Sequence, residues 1–292
     1  MSTYLVLTIS VIACLVASIL KKYCGSISKN KAVMHQVLNL GISLVCMISL
    51  VLVSDSLRMS AFTVGLGVAF GVITAMQSVF TLKAFDIGPY AYTSVITSLS
   101  TVIPAMSGYL FWNEKIVPVQ LAGVVLMLLC FVFSVDFSGE KRKASVKWFV
   151  LSLATFFCTG FIGVMQKWHQ NTRFSGELDG FLIVAFAVST VCSLIMIIVE
   201  TKKTGNGFKQ EISPKLLFMI AVTGICVAAN NKINLYLSGV MDSAVFFPVV
   251  NGGGLVLTSI ASWIVFKEAL SFKKWIGIFI GIVAVLLLCN PF

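Results

Sequence analysis

The chain is a succession of apolar runs, each long enough to cross a lipid bilayer as a single helix. About twenty helical residues span the roughly 30 Å hydrocarbon core of a membrane. The sequence predicts ten such helices, at approximately 3–20, 33–53, 60–81, 89–111, 117–135, 146–166, 179–199, 214–235, 243–265 and 272–289. The runs do not alternate as the strands of a membrane β-barrel do. The sequence therefore predicts an all-α integral membrane protein.

Composition leaves no room for a soluble domain. Only 11% of the 292 residues are charged and 58% are hydrophobic, whereas soluble proteins carry about 25% charged residues. The polar stretches between the runs are short, as in 138–147 and 201–213. The whole chain is therefore expected to lie in or beside the membrane.

The distribution of basic residues predicts the orientation of the chain. The formal net charge is +10, and sixteen of the 21 Lys and Arg lie in or beside the loops that follow odd-numbered helices. Because cytoplasmic loops carry the excess of Lys and Arg, both termini are predicted outside a plasma or inner membrane. The charge is expected to face anionic lipid headgroups, and no nucleic-acid partner is expected.

The second half of the chain repeats the first at a shift of 154 positions. The shift superimposes three pairs of residues: Ala75 on Ala229, Glu114 on Glu268 and Gly123 on Gly277. The first helix of each half corresponds more loosely, at a shift of 145. We predict a first five-helix repeat over 1–137, a basic cytoplasmic linker over 138–147 and a second repeat over 148–292. Because each repeat has an odd number of helices, the second is expected to be inverted.

These repeats carry motifs that resemble a known family. Each half has an acidic residue shortly before a helix that carries a Q/K-x-x-G motif, within Phe111–Leu126 and Val265–Ile280. This pattern resembles the drug/metabolite transporter superfamily and, within it, the ten-helix EamA-like group. The resemblance implies two inverted five-helix repeats around a central cavity, lined by the third and fourth helices of each half. It also implies transport of small metabolites.

Polar residues inside the predicted helices are the candidates for substrate binding, because they are costly to bury in a membrane. The five candidates are Gln77, Thr97, Asn231, Lys232 and Asn251. The shift of 154 superimposes Gln77 on Asn231 and Thr97 on Asn251, as expected of a site at a repeat interface. Alternatively, such side chains bond their own helix or hold neighbouring helices together. Lys232 either extends to the headgroups or binds a carboxylate or phosphate of the substrate.

The remaining charged and cysteine residues favour structural roles. Glu114 and Glu268 precede helices and are expected to complement a helix N-terminus. Lys22, Lys83 and Lys167 stand at helix ends, where lysine extends to the headgroups. Most of the eight cysteines lie in apolar runs, where they pack as small hydrophobes. With no metal, cofactor or nucleophile motif in the sequence, no enzymatic activity is expected.

The sequence thus predicts a secondary transporter that moves a small polar metabolite by alternating access. Export of an amino acid or a related compound is the first hypothesis, and it rests on the family resemblance. Import or exchange of a small solute by the same fold is the alternative. A lipid-handling flippase or a membrane scaffold is the alternative of another class. Residues 4–20 and 148–166 contain no Asp or Glu, which favours neutral, zwitterionic or anionic solutes over cations.

Overall fold

A computed structural model describes residues 3–26, 31–54, 57–135, 143–204, 213–266 and 270–289. Within these ranges the chain forms α-helices and one short 3-10 turn, Ser175–Glu177, and no strand is found there. The helices are α1 (Thr3–Ser26), α2 (Lys31–Val53), α3 (Ala61–Ile87), α4 (Tyr90–Leu99), α5 (Val102–Trp112), α6 (Pro118–Phe133), α7 (Val146–Gln170), α8 (Leu178–Thr204), α9 (Pro214–Val240), α10 (Ser243–Phe266) and α11 (Phe272–Cys289).

The helices coincide with the apolar runs of the sequence. In the described residues, eight of the ten predicted runs are long and apolar enough to cross a membrane. The other two coincide with shorter apolar helices, Leu5–Leu20 and Pro118–Phe133. A helix satisfies its own backbone hydrogen bonds, so apolar runs of this length are stable in hydrocarbon. The prediction of an all-α membrane protein is confirmed.

The run predicted as one fourth helix is divided into α4 and α5. Pro104 has no backbone N–H, so it cannot donate to the carbonyl of Ser100, four residues earlier. That carbonyl instead accepts a bond from the N–H of Ile103 at 3.0 Å. The N–H groups of Ser100 and Thr101 likewise bond to carbonyls three residues earlier, each at 3.3 Å. Between α4 and α5 the chain thus tightens into a 3-10-type turn in the middle of an apolar segment.

The chain packs as two compact units. The first comprises Met1–Ala75 and Thr172–Leu235, and the second comprises Met76–Asn171 and Tyr236–Phe292. Each unit therefore combines segments from both halves of the sequence. The predicted repeats, 1–137 and 148–292, instead follow the order of the chain.

In the first unit, α2 packs along α8 and glycines bring α3 and α9 close to them. A Cβ on Gly71 of α3 would lie 2.7 Å from the Ala185 carbonyl of α8. A Cβ on Gly224 of α9 would lie 2.6 Å from the side chain of Val45 in α2. The hydroxyls of Ser43 and Ser189 join α2 to α8 at 3.1 Å. Small residues and hydroxyl bonds are what hold helices together in lipid.

In the second unit, α6 packs along α11, and α10 contacts α5, α6 and α11. A Cβ on Gly123 of α6 would lie 2.7 Å from Leu288 of α11. A Cβ on Gly277 of α11 would lie 3.0 Å from the backbone of Phe133 and Ser134 in α6. A Cβ on Gly252 of α10 would likewise overlap the side chain of Met127 in α6. These glycines allow the helices to approach closely.

Candidate functional site

An ion pair joins α9 to α8 in the first unit. The ammonium of Lys232 lies 2.8 Å from Oδ1 and 3.0 Å from Oδ2 of Asp179, in the first turn of α8. The lysine side chain keeps 34% of its exposure and the aspartate 14%. Lys232 is therefore neither extended alone to the headgroups nor an uncompensated cation. Its charge is neutralised within a partly accessible pair.

The segment before Asp179 also fixes the start of α3. One carboxylate oxygen of Glu177 accepts bonds from the backbone N–H and the hydroxyl of Ser60, both at 2.8 Å, and from the hydroxyl of Thr63. Nearby, Phe174 stacks on Phe62 with their ring centroids 5.5 Å apart. Glu177 thus caps α3, and Asp179, two residues later, pairs with a lysine of α9.

A second polar cluster of the first unit joins α1 to α9. The hydroxyl of Ser10 lies 2.7 Å from Oδ1 of Asn230 and 2.5 Å from Oδ1 of Asn234, and Ser10 is fully buried. One hydroxyl hydrogen can serve only one of these oxygens, so one amide must present its NH2 group to Ser10. Sequence reasoning missed Ser10. The available signal was the spacing of the two asparagines, which places both on one face of α9 and requires a partner there.

Asn231, the predicted site residue of this helix, donates instead to the carbonyl of Val227 on its own helix, at 2.9 Å. Its Oδ1 has no hydrogen-bond donor among the described residues. The structure therefore leaves the amide oxygen of Asn231 as a spare acceptor. An amide oxygen without a donor inside a membrane span is available to a polar solute.

In the second unit, one polar contact lies at the turn between α4 and α5. The amide of Asn251, in α10, donates to the hydroxyl of Thr101 at 3.0 Å. Thr97, one turn earlier, bonds the carbonyl of Thr93 on its own helix at 2.9 Å. Asn251 thus meets the face of α4 and α5 that carries Thr97, but one turn further along. The contact places an amide beside the irregular backbone step in mid-span.

Gln77 lies apart from this contact and bonds within α3. Its amide donates to the hydroxyl of Thr81 at 3.1 Å, and that hydroxyl donates to the Gln77 carbonyl at 2.7 Å. Thr81 also lies 3.5 Å from the hydroxyl of Thr155 in α7. Of the five predicted site residues, Gln77, Thr97 and Asn251 lie in the second unit, and Asn231 and Lys232 lie in the first.

Glu114 and Lys167 form a buried ion pair that the sequence did not reveal. Glu114 Oε1 lies 2.5 Å from the ammonium of Lys167, and the side chains keep 11% and 4% of their exposure. Lys167 also donates to the carbonyl of Met241 at 3.0 Å. The prediction that Lys167 extends to the headgroups is therefore wrong. A carboxylate from a distant part of the sequence holds the ammonium inside the protein.

Glu114 complements a helix other than the one expected. Its Oε2 accepts a bond from the backbone N–H of Ser243, the first residue of α10, at 2.7 Å. The helix that follows Glu114 in sequence is α6. Its N-terminus is capped by the side chain of Gln120, which accepts a hydrogen bond from the N–H of Val117 at 3.2 Å. The expected role at a helix N-terminus is found, but the helix is α10. The equivalent prediction for Glu268 lies outside the described residues.

The chemistry of these sites is that of amides, hydroxyls and paired charges. No group of three His, Cys, Asp or Glu side chains suited to a metal ion occurs among the residues that the structure describes. Such groups can bind a polar solute by hydrogen bonds and by charge.

The fold and these sites define a helical membrane protein with polar contacts inside its apolar segments. No protein-family model matches the sequence, and no curated protein matches it. The structure is similar to a solved crystal structure with a TM-score of 0.76 and 14% sequence identity, covering 98% of this chain and 96% of the other. At this identity the likeness establishes a shared fold.

Proposed function

We propose that the chain is a secondary transporter that moves a small polar metabolite across a membrane by alternating access. In this proposal the chain crosses a plasma or inner membrane ten times, as two inverted five-helix repeats of the EamA-like drug/metabolite transporter type. Both termini lie outside. Its partners are a small-molecule substrate and the surrounding lipids, and it catalyses no covalent chemistry.

The observation that carries the proposal is the reciprocal contact between α6 and α11. The shift of 154 relates Gly123 to Gly277 and Ser134 to Leu288. Gly123 meets Leu288, and Gly277 meets Ser134. A two-fold axis between two copies of one element generates such a contact, because each residue of one copy then meets the same partner position in the other copy. This reciprocity supports inverted repeats, which are a hallmark of alternating-access transporters.

The contact between α2 and α8 supports the same relation in the first unit. Ser43 and Ser189 touch through their hydroxyls, and a shift of 146 superimposes these two serines. The same shift also relates Val45 to Val191 and Cys46 to Cys192. A residue meets its own equivalent only when it lies close to a two-fold axis. The smaller shift agrees with an insertion in the second half, between α8 and α9.

The broken helix and the polar residues in mid-span support a polar cargo. Transporters bind their substrates where a discontinuous helix exposes polar groups inside the membrane. Here Pro104 interrupts a span, and the amide of Asn251 lies beside the interruption, where it donates to Thr101. Export of an amino acid or a related compound remains the first hypothesis. Import and exchange would use the same groups.

Counterflow into proteoliposomes tests the proposal. Vesicles would be preloaded with one of three unlabelled pools (amino acids, sugars with nucleosides, or carboxylic acids) and then given the labelled form. Accumulation of one pool above that in empty vesicles is expected. Asn251→Leu should reduce it at least about tenfold without lowering Tm, because a site that hydrogen-bonds its substrate loses most when the polar group is removed.

Thr159→Val is the matched control for that variant. Its hydroxyl also lies inside a membrane span of the second unit but bonds only the Thr155 carbonyl of its own helix, at 2.8 Å. It should leave counterflow close to that of the wild type. Translocation of a fluorescent phospholipid, without counterflow of any solute pool, would instead identify a flippase. Inactivity in both assays would favour a scaffold.

A further inference from the structure

We infer that Lys232 and Asp179 bind a zwitterionic solute, with the lysine taking its carboxylate and the aspartate taking its ammonium. The inference rests on the proposed transport function and narrows the substrate to α-amino acids and compounds with the same pair of charges. It replaces the expectation that Lys232 alone binds an anionic substrate.

The geometry of the pair leaves it able to exchange partners. Oδ2 of Asp179 accepts a hydrogen bond from the ammonium of Lys232 at 3.0 Å. Oδ1 lies 2.8 Å from the same nitrogen, but it is buried and accepts no hydrogen bond from the described residues. An ammonium has three N–H donors, so two remain after the one bond, and no further acceptor for them occurs among the described residues. With a third of its side chain exposed, Lys232 presents these free donors to whatever occupies the adjoining space.

The charge of the pair decides which solutes can gain from it. A lysine and an aspartate in contact have no net charge, so a simple anion is attracted by one group and repelled by the other. A simple cation is likewise attracted by the aspartate and repelled by the lysine. A zwitterion instead places its carboxylate beside the ammonium of Lys232 and its ammonium beside the carboxylate of Asp179. The four charges then alternate in sign, and each has an opposite neighbour.

Capping of a helix N-terminus does not explain the position of the lysine. Asp179 alone would be sufficient to complement the N-terminus of α8, since an acid in the first turn does this without a basic partner. A helix-capping role therefore accounts for the aspartate but not for a partly exposed lysine inside α9.

The test compares three labelled pools in counterflow: twenty amino acids, the matching carboxylic acids without the amino group, and the matching amines without the carboxylate. We expect the wild type to favour the amino acids at least tenfold over either analogue pool. Asp179→Asn should raise the ratio of acid to amino-acid transport at least tenfold, because the repulsive carboxylate is gone. Lys232→Gln should raise the ratio of amine to amino-acid transport by a similar factor.

Two sets of control variants separate selectivity from folding. Lys147→Gln removes an exposed lysine of α7 and should leave all three rates unchanged. Asp179→Glu and Lys232→Arg retain the charges and should retain the preference for amino acids, even if the neutral variants prove too unstable to purify. A parallel fall in all three pools for Asp179→Asn and Lys232→Gln, with their ratios unchanged, would show a purely structural pair.

Failure of this inference can be told apart from failure of the proposed function. Counterflow of sugars, nucleosides or simple acids without that of amino acids would leave the transporter intact and overturn the zwitterion site. Absence of counterflow for every solute would overturn both. Loss of the amino-acid preference in the two charge-retaining variants, with unchanged Tm, would also reject the assignment.

Discussion

The buried ion pair between Glu114 and Lys167 predicts different losses of stability for removing one charge of the pair and for removing both. Lys167→Met removes the ammonium but keeps most of the side-chain volume. Glu114 then remains a carboxylate with 11% of its exposure, inside a unit that is otherwise largely apolar. Its remaining donors are the backbone N–H and the hydroxyl of Ser243, at 2.7 and 3.3 Å. These do not neutralise a full charge.

The expected loss follows from the burial of both partners. Removing one member of a buried ion pair costs about 3–5 kcal/mol, because the other charge is left uncompensated. In a chain of this size each kcal/mol lowers Tm by about 2–4 °C, so Lys167→Met should lower Tm by at least about 6 °C. Adding Glu114→Gln removes the orphaned charge while an amide oxygen still accepts from Ser243. The double variant should therefore recover more than half of the loss.

The assay is thermal unfolding in nanodiscs, followed by the fraction of protein that remains monodisperse. Lys147→Met is the matched control, because it makes the same substitution at an exposed position of the same helix. It should change Tm by less than about 1 °C, since exposed substitutions usually stay within about 0.5 kcal/mol. A double variant that is less stable than Lys167→Met would refute the reasoning, because it would show that the two side chains contribute independently.

Three further outcomes follow from other contacts. Trp148→Phe should destabilise the second unit by about 1 kcal/mol, because the indole N–H donates to the buried hydroxyl of Thr93 at 2.8 Å. The double variant with Thr93→Val should lose less stability, measured by Tm, than the sum of the losses of the two single variants. Gly277→Ala should destabilise more than Gly123→Ala, because a Cβ on Gly277 would meet backbone at 3.0 Å, whereas a Cβ on Gly123 would first meet the side chain of buried Leu288, at 2.7 Å. Leu288→Ala should lessen only the loss caused by Gly123→Ala. Glu177→Ala should cost about 0.5–2 kcal/mol by uncapping α3, and faster amide exchange confined to the first turns of α3 is the readout.

The helical class could be predicted from the sequence because it depends on local properties. An apolar run of about twenty residues is stable in hydrocarbon as a helix whatever its neighbours are. The interruption at Pro104 was harder to predict, because Pro248 lies inside α10 without dividing it. Pro248 is six residues into its helix, whereas Pro104 follows the middle of its span. The presence of a proline in a span therefore does not by itself predict an interruption.

The polar contacts could be predicted only in part, because their partners are far apart in the sequence. The sequence identified Lys232 and Asn251 as polar groups in apolar segments, which needs no knowledge of the fold. It could not supply Asp179 or Thr101, whose proximity depends on packing. The error at Lys167 has the same origin. A lysine at a helix end extends to the headgroups by default, and only a distant carboxylate such as Glu114 reverses that preference.

The lengths of α6 and α11 have a consequence for the surrounding lipid. These paired helices have 16 and 18 residues, whereas α3 and α9 have 27 each. At 1.5 Å per residue, α6 is about 24 Å long, shorter than the roughly 30 Å hydrocarbon core. Lipids beside this pair are therefore expected to compress to match it. Reconstitution in bilayers of shorter acyl chains should relieve that compression, so the bilayer thickness itself becomes a variable that stabilises or destabilises this pair of helices.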